Sequence, residues 1–284
     1  MILATYIPFY RIHEVLLYFV KNCEMISPSE CWVFVDNVYH DKQKEFLRNN
    51  LPASFQIFTG NWRNRSETWL EILRLASSIG EESVVVDSDN VLDDSFRDVY
   101  FSLKEWSVFT IMDYEAWNNE ESRVGYMRRS KRAGELKLRG ETRPLFLYKV
   151  FEGPSLRFFQ GGSPFFIGPK QIVVFRKYPS NEIIDGVKRA IGQVDPWFRN
   201  FISDETCLGV LAYLMGIKEV AWTIGSHHHH HGSTPAKAPP VLVALAHLQF
   251  ARGLFNVFHR KEFKYYALKY RLSLWKNLTK IIVK

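Results

Sequence analysis

The chain has 284 residues, 46% of them apolar and 24% charged, enough to bury a sizeable core and too apolar for a disordered chain. Its formal charge of +7 sits at one end, because residues 241–284 carry nine Lys and Arg against the single acid Glu262, a local +8 that leaves the body close to neutral. Cys23, Cys31 and Cys207 show no Cys-x-x-Cys spacing and point to neither a disulfide framework nor a thiolate zinc site; with no leader or long apolar span in view, a reducing, cytoplasmic setting is expected.

In chain order, residues 2–7 read as a first strand ended by Pro8, and Ile12, Val15, Leu16, Phe19 and Val20 recur at helical spacing. The apolar run 31–35 is a second strand, which completes a βαβ unit. Residues 55–58 form a third strand, 67–77 a helix, and Ser83-Val84-Val85-Val86 a strand apolar on both faces, as in a buried parallel sheet. Residues 108–112 are another strand, whereas 118–143 are polar, rich in Arg and Lys and free of periodicity, and are expected to be a loop or short helix. Residues 145–151 and 157–159 are expected to pair as strands, with 171–175 as a further strand and helices over 182–191 and 204–215. The Gly-, Ser-, His- and Pro-rich stretch 225–240 reads as a loop.

Ligands of open parallel sheets gather at the carboxyl ends of the strands, so acids that follow a buried strand face a site. Asp87 and Asp89 do so, and two carboxylates one residue apart can reach one hard cation, which in turn binds diphosphate oxygens. Alone, Asp-Ser-Asp-Asn is equally a polar turn that caps a helix; the three valines before it and the two βα units upstream favour the site.

Val84-Val85-Val86-Asp87-Ser88-Asp89 resembles the Asp-x-Asp motif of GT-A glycosyltransferases. The resemblance implies a Rossmann-like α/β fold with a mostly parallel sheet and flanking helices over residues 1–231, the nucleotide-binding half about 1–112 and the acceptor half about 113–231. It implies a sugar moved from a nucleoside diphosphate sugar, UDP- or GDP-linked, to a hydroxyl of a glycan, lipid-linked glycan or protein. Phe158-Phe159-Gln160-Gly161-Gly162-Ser163-Pro164-Phe165 looks like the family's Gly-Gly loop, with Gly161 and Gly162 letting backbone approach the donor. Asp204 and Glu205 resemble the acidic pair that opens a late helix and supplies the catalytic carboxylate, and the ordinary alternative is a pair that only favours a helix dipole.

The resemblance also implies metal ligands Asp87 and Asp89 with help from the histidine run at 227–231, of which His227 and His229 are taken as candidates; imidazole favours Mn²⁺ over Mg²⁺. The run equally looks like an affinity tag, although it has five histidines and lies inside the chain. Thr5, Tyr6 and Ile7, Asp36, and Arg63 and Arg65 fall where the family contacts base, ribose and diphosphate, with Ser88 beside them.

After a linker at 232–240, residues 241–284 form a basic, helical tail. Phe263, Ala267, Tyr270, Leu274, Leu278 and Ile281 share one helical face, with Lys264, Lys269, Arg271, Lys276 and Lys280 around it. Such a helix either lies on an anionic membrane surface, making the protein peripheral on the cytoplasmic face, or packs on the catalytic domain. Nucleic-acid binding is disfavoured because no recognition motif accompanies the charge. Two other functions remain open: a haloacid dehalogenase-like phosphatase with Asp87 as nucleophile and Asp89 as acid/base, and a non-catalytic nucleotide-binding or membrane-recruitment module.

Overall fold

The alternation of apolar runs and amphipathic stretches becomes one mixed sheet with helices on both faces in a computed structural model that describes residues 1–7, 12–36, 41–62, 65–153, 162–229 and 238–282. The first part is β1 (Ile2–Tyr6), α1 (Ile12–Ile26), β2 (Glu30–Asp36), α2 (Asp41–Asn50), β3 (Phe55–Gly60), α3 (Arg65–Ile79) and β4 (Ser83–Asp87). These strands lie parallel in the order β3-β2-β1-β4, with Ile2 level with Glu30 on one side and Ser83 on the other. Successive side chains of a strand point to opposite faces. Accordingly Ile2, Ala4, Trp32, Phe34 and Val85 enter one core, and Leu3, Val33, Val35, Val84 and Val86 the other.

The chain continues through β5 (Asn90–Leu92), α4 (Phe96–Ser102), β6 (Val108–Asp113), α5 (Tyr114–Asn118), α6 (Glu120–Met127), β7 (Ser130–Leu138), β8 (Glu141–Lys149) and β9 (Ile172–Phe175). Then follow α7 (Asn181–Gly192), α8 (Asp204–Leu214), β10 (Glu219–His228), α9 (Pro240–Phe258) and α10 (Lys261–Ile282). β9 enters antiparallel between β4 and β6, β10 runs parallel to β6, and β8 and β7 close that side. This is the α/β fold of GT-A type that the sequence led us to expect.

The structure corrects four expectations. Residues 118–143 are not a loop: they hold most of α5 and α6 and the hairpin of β7 with β8. β7 has only Leu136 buried among exposed charged residues, so its sequence carries no apolar period to read. Residues 145–149 pair with β7 and β10, and the partner expected at 157–159 lies outside the described residues. Residues 225–228 belong to β10, where backbone pairing to β5 holds a polar stretch in strand form. Finally, Cys23 at the end of α1 and Cys31 in β2 are joined as a disulfide, because the short turn between the two elements folds them back to back; Cys207 is free and buried.

Residues 240–282 are two helices. α9 suffices in length and composition to cross a bilayer, but its Ala244, Leu248, Phe250, Ala251 and Leu254 lie in the core against α7. On α10 the expected stripe is turned inward, with Phe263 and Tyr270 buried and Leu274 packed against the same core. Lys269, expected on the solvated side, is buried as well.

α8 touches the chain after the glycine loop so closely that a Cβ at Gly209 would overlap the backbone of Phe165 and Phe166. Gly209→Ala should therefore cost about 1–3 kcal/mol through overpacking. Gly125→Ala, in α6 with open space around it, should be neutral or stabilising by up to about 1 kcal/mol. Urea unfolding midpoints of the two variants check both signs.

Candidate active site

β4 delivers Asp87 to the carboxyl edge of the sheet between β1 and β9, where its N–H donates to the Gln171 carbonyl at 2.8 Å. Ser88 is buried in the turn that follows, and Asp89 leads into β5. Asn22 of α1 fixes that turn from behind: its Nδ2 donates to the Asn90 carbonyl at 2.9 Å and its Oδ1 accepts from the Leu92 N–H at 2.8 Å.

Four charges from separate elements meet here. Arg65, the first residue of α3, pairs with Asp87, and its Nε lies 3.2 Å from Asp204 Oδ2. Lys170, just before β9, places Nζ 2.7 Å from Asp204 Oδ2 and 3.6 Å from Asp87 Oδ2. Asp204 and Glu205 open α8, whose first turn is capped by Ser203 Oγ accepting from the Thr206 N–H at 3.3 Å. Burial alone would raise the Asp204 carboxyl, but Lys170 and Arg65 outweigh it and hold the group ionised well below the usual range. Glu205 moves the other way: burial and the Asp204 charge beside it push its carboxyl up. Burial likewise raises the Tyr126 phenol, which faces the charges of Glu205, Asp113 and Asp87.

The histidines arrive on β10. His228 Nε2 stands 3.1 Å from Asp89 Oδ2, and this hydrogen bond raises the imidazole's affinity for a proton. The candidate ligands His227 and His229 are turned elsewhere: His227 Nδ1 is 3.3 Å from Glu115 Oε1, and the His229 ring stacks on Tyr18 with centroids 4.7 Å apart. The period of two along an extended chain explains this division. Among the described residues no three His, Cys, Asp or Glu side chains form a metal cage. Asp89 and His228 form an open pair of donors, which suits a cation whose remaining positions belong to phosphate oxygens.

The other expected contacts are placed as follows. The Thr5 hydroxyl is buried and donates to the Val86 carbonyl at 2.9 Å, Tyr6 packs on the core, and Ile7 is buried with its N–H on the Phe34 carbonyl at 3.0 Å. Asp36 closes β2 opposite Gly60. The Asp36 side chain, Arg63, Gly161, His230 and His231 lie outside the described residues. Gly162 has φ +68, and a Cβ there would meet Arg129 Nη1 at 3.3 Å. Arg129 holds this turn by donating to the Ser163 carbonyl at 2.8 Å.

Lys170, His228, Tyr126 and Arg129 were not foreseen. Lys170 precedes a strand, and it reaches the carboxyl edge only because β9 runs antiparallel to β4. A sequence shows the strand but not its direction.

No family model matches the chain, and no curated protein matches it. Solved structures similar in fold include the Staphylococcus aureus protein TarS, residues 1–349, in complex with UDP-GlcNAc (15% identity, 98% of this chain and 72% of that one, TM-score 0.45). The inositol-1-phosphate CTP transferase of Thermotoga maritima is another (12% identity, 89% and 96% covered, TM-score 0.46). A third is the galactosyltransferase LgtC in complex with donor and acceptor sugar analogues (15% identity, 50% and 56% covered, TM-score 0.32).

The opposed shifts of the acidic pair have opposite linkage signs. Glu205, raised on folding, contributes stability that is complete below the ordinary carboxylate range and is lost as pH rises through its folded value. Asp204, lowered on folding, contributes stability present above that range and lost only in stronger acid. Glu205→Gln should thus flatten the decline in stability between mildly acid and neutral pH and leave the acid limb in place. Thermal melts of both proteins across that pH range check this.

Proposed function

We propose that the protein is a metal-dependent glycosyltransferase that moves a sugar from a nucleoside diphosphate sugar to a hydroxyl of a glycan, lipid-linked glycan or protein. The observation that carries this reading is the convergence of Asp87, Asp89, Arg65, Lys170, Asp204, Glu205 and His228 at the carboxyl edge of β4.

In this reading Asp89 and His228 hold the cation, Mn²⁺ by preference for imidazole, with Asp87 close by. A bound cation there neutralises charge on the departing diphosphate. Arg65 and Lys170 add two positive charges that the sheet has already positioned, so little reorganisation is needed as the diphosphate develops its charge. The acceptor oxygen forms its bond to the anomeric carbon as the bond from that carbon to the diphosphate breaks. Glu205 takes the acceptor proton: a carboxylate whose proton affinity is raised toward neutrality is a better base than one at its ordinary value. Asp204, saturated by Lys170 and Arg65, is a poor base and instead positions those two cations.

Calorimetric titration of UDP and GDP, with and without Mn²⁺, tests the reading. One nucleotide should bind at least about tenfold more tightly with metal, a gain of about 1.4 kcal/mol, and Asp89→Ala should abolish the gain. Equal binding with and without metal would remove the cation from the site. Binding of neither nucleotide, together with phosphate release from a phosphomonoester, would transfer Asp87 to a phosphatase role.

A further inference from the structure

Once the inner stripe of α10 is packed, a second apolar face is left on its opposite side. Phe263, Tyr266 and Tyr270 are buried, with Phe263 and Tyr266 against Phe165 at centroid separations of 5.4 and 5.6 Å. Leu268, Leu272 and Trp275, at i, i+4 and i+7, form one outward row and are 46%, 45% and 63% exposed. A helix that only packs on its own domain puts polar residues on the outer side, and three large apolar residues in register there leave water in contact with them.

The charge around this row is of one sign. Lys261, Lys264, Arg271 and Lys276 are exposed around it, and Arg252 of α9 adds to them. Glu262, the one acid in this region, lies on the side of Tyr213. A second copy of the chain would bring this positive rim against its own like, whereas an anionic bilayer supplies phosphates for the rim and an apolar interior for Trp275 and the leucines. Trp is also suited to the level of the headgroups.

We propose that α10 docks the protein on anionic membranes through the Leu268, Leu272 and Trp275 face with its basic rim. The inward face of the same helix meets Phe165, which follows the turn at Gly162, so docking brings the acceptor side of the site to the lipid surface. Docking rests on the surface of α10 and not on the chemistry at Asp87 and Asp89, so the two stand or fall separately.

Cosedimentation of the full chain with phosphatidylcholine vesicles, and with mixed phosphatidylglycerol and phosphatidylcholine vesicles, tests it. Binding should be confined to the anionic vesicles and weaken with salt, since exposed charges are screened. Arg271→Glu with Lys276→Glu should reduce binding by more than about twentyfold, at about fivefold for each basic residue lost near the surface. Leu272→Ser with Trp275→Ser should reduce it at least as much. All four positions are exposed, and an unchanged melting temperature shows that the fold is intact. Failure of the wild type to sediment overturns the proposal, as does undiminished binding by both double variants. Concentration-dependent dimerisation that Leu272→Ser with Trp275→Ser abolishes, without vesicle binding, would also overturn it in favour of a second copy.

Discussion

Arg65, Asp87, Lys170 and Asp204 come from α3, β4, the start of β9 and α8, and each is acceptable in its place only because the other three are there. Two carboxylates that are 12% and 11% exposed could not lie together in so little water without the cations between them. In a dry site, removing one partner from such a pair costs about 3–5 kcal/mol. The Arg65 side of the cluster, with that side chain 38% exposed, is softened by solvent. The cluster therefore sets where α3 and α8 begin relative to the sheet, and with them the position of Glu205.

That arrangement has a functional corollary. A diphosphate entering the site meets cations that are already fixed on carboxylates and need not be recruited from mobile surface chains. The carboxylates in turn keep the two cations from repelling one another when no anion is present. Neighbouring acids also acquire different roles from their surroundings: Asp204 takes both cations and stays ionised, and Glu205, one residue on, is left with burial and a negative neighbour.

Much of the parallel half was legible in the sequence, because Val84, Val85 and Val86 are buried on both faces and an apolar run of that kind has few other uses. Asp87 and Asp89 followed from it, as did Asp204 and Glu205 at a helix start. The antiparallel half was less legible. β7 lies at the sheet's edge with charged residues outward, so its backbone pairing leaves no mark on its composition. The choice among the histidines depended on the pleat of β10, which is fixed by its pairing with β5 and β6 and not by the residues themselves. The row at Leu268, Leu272 and Trp275 was hidden for a related reason: α10 is apolar on two sides, and a wheel drawn from sequence shows the broader side first.

The antiparallel β9 also bears on the order in which the chain can fold as it is synthesised. β4 and β6 are made early, yet their neighbour in the sheet is residues 172–175, and until these emerge both strands keep an unpaired edge. β6 is buried throughout in the finished protein and β4 nearly so, so a growing chain that ends after β6 displays two sticky borders at once. A nascent polypeptide halted between β6 and β9 is thus the form of this molecule most exposed to aggregation and most in need of a chaperone, and truncations there should be insoluble for reasons unrelated to the loss of the active site.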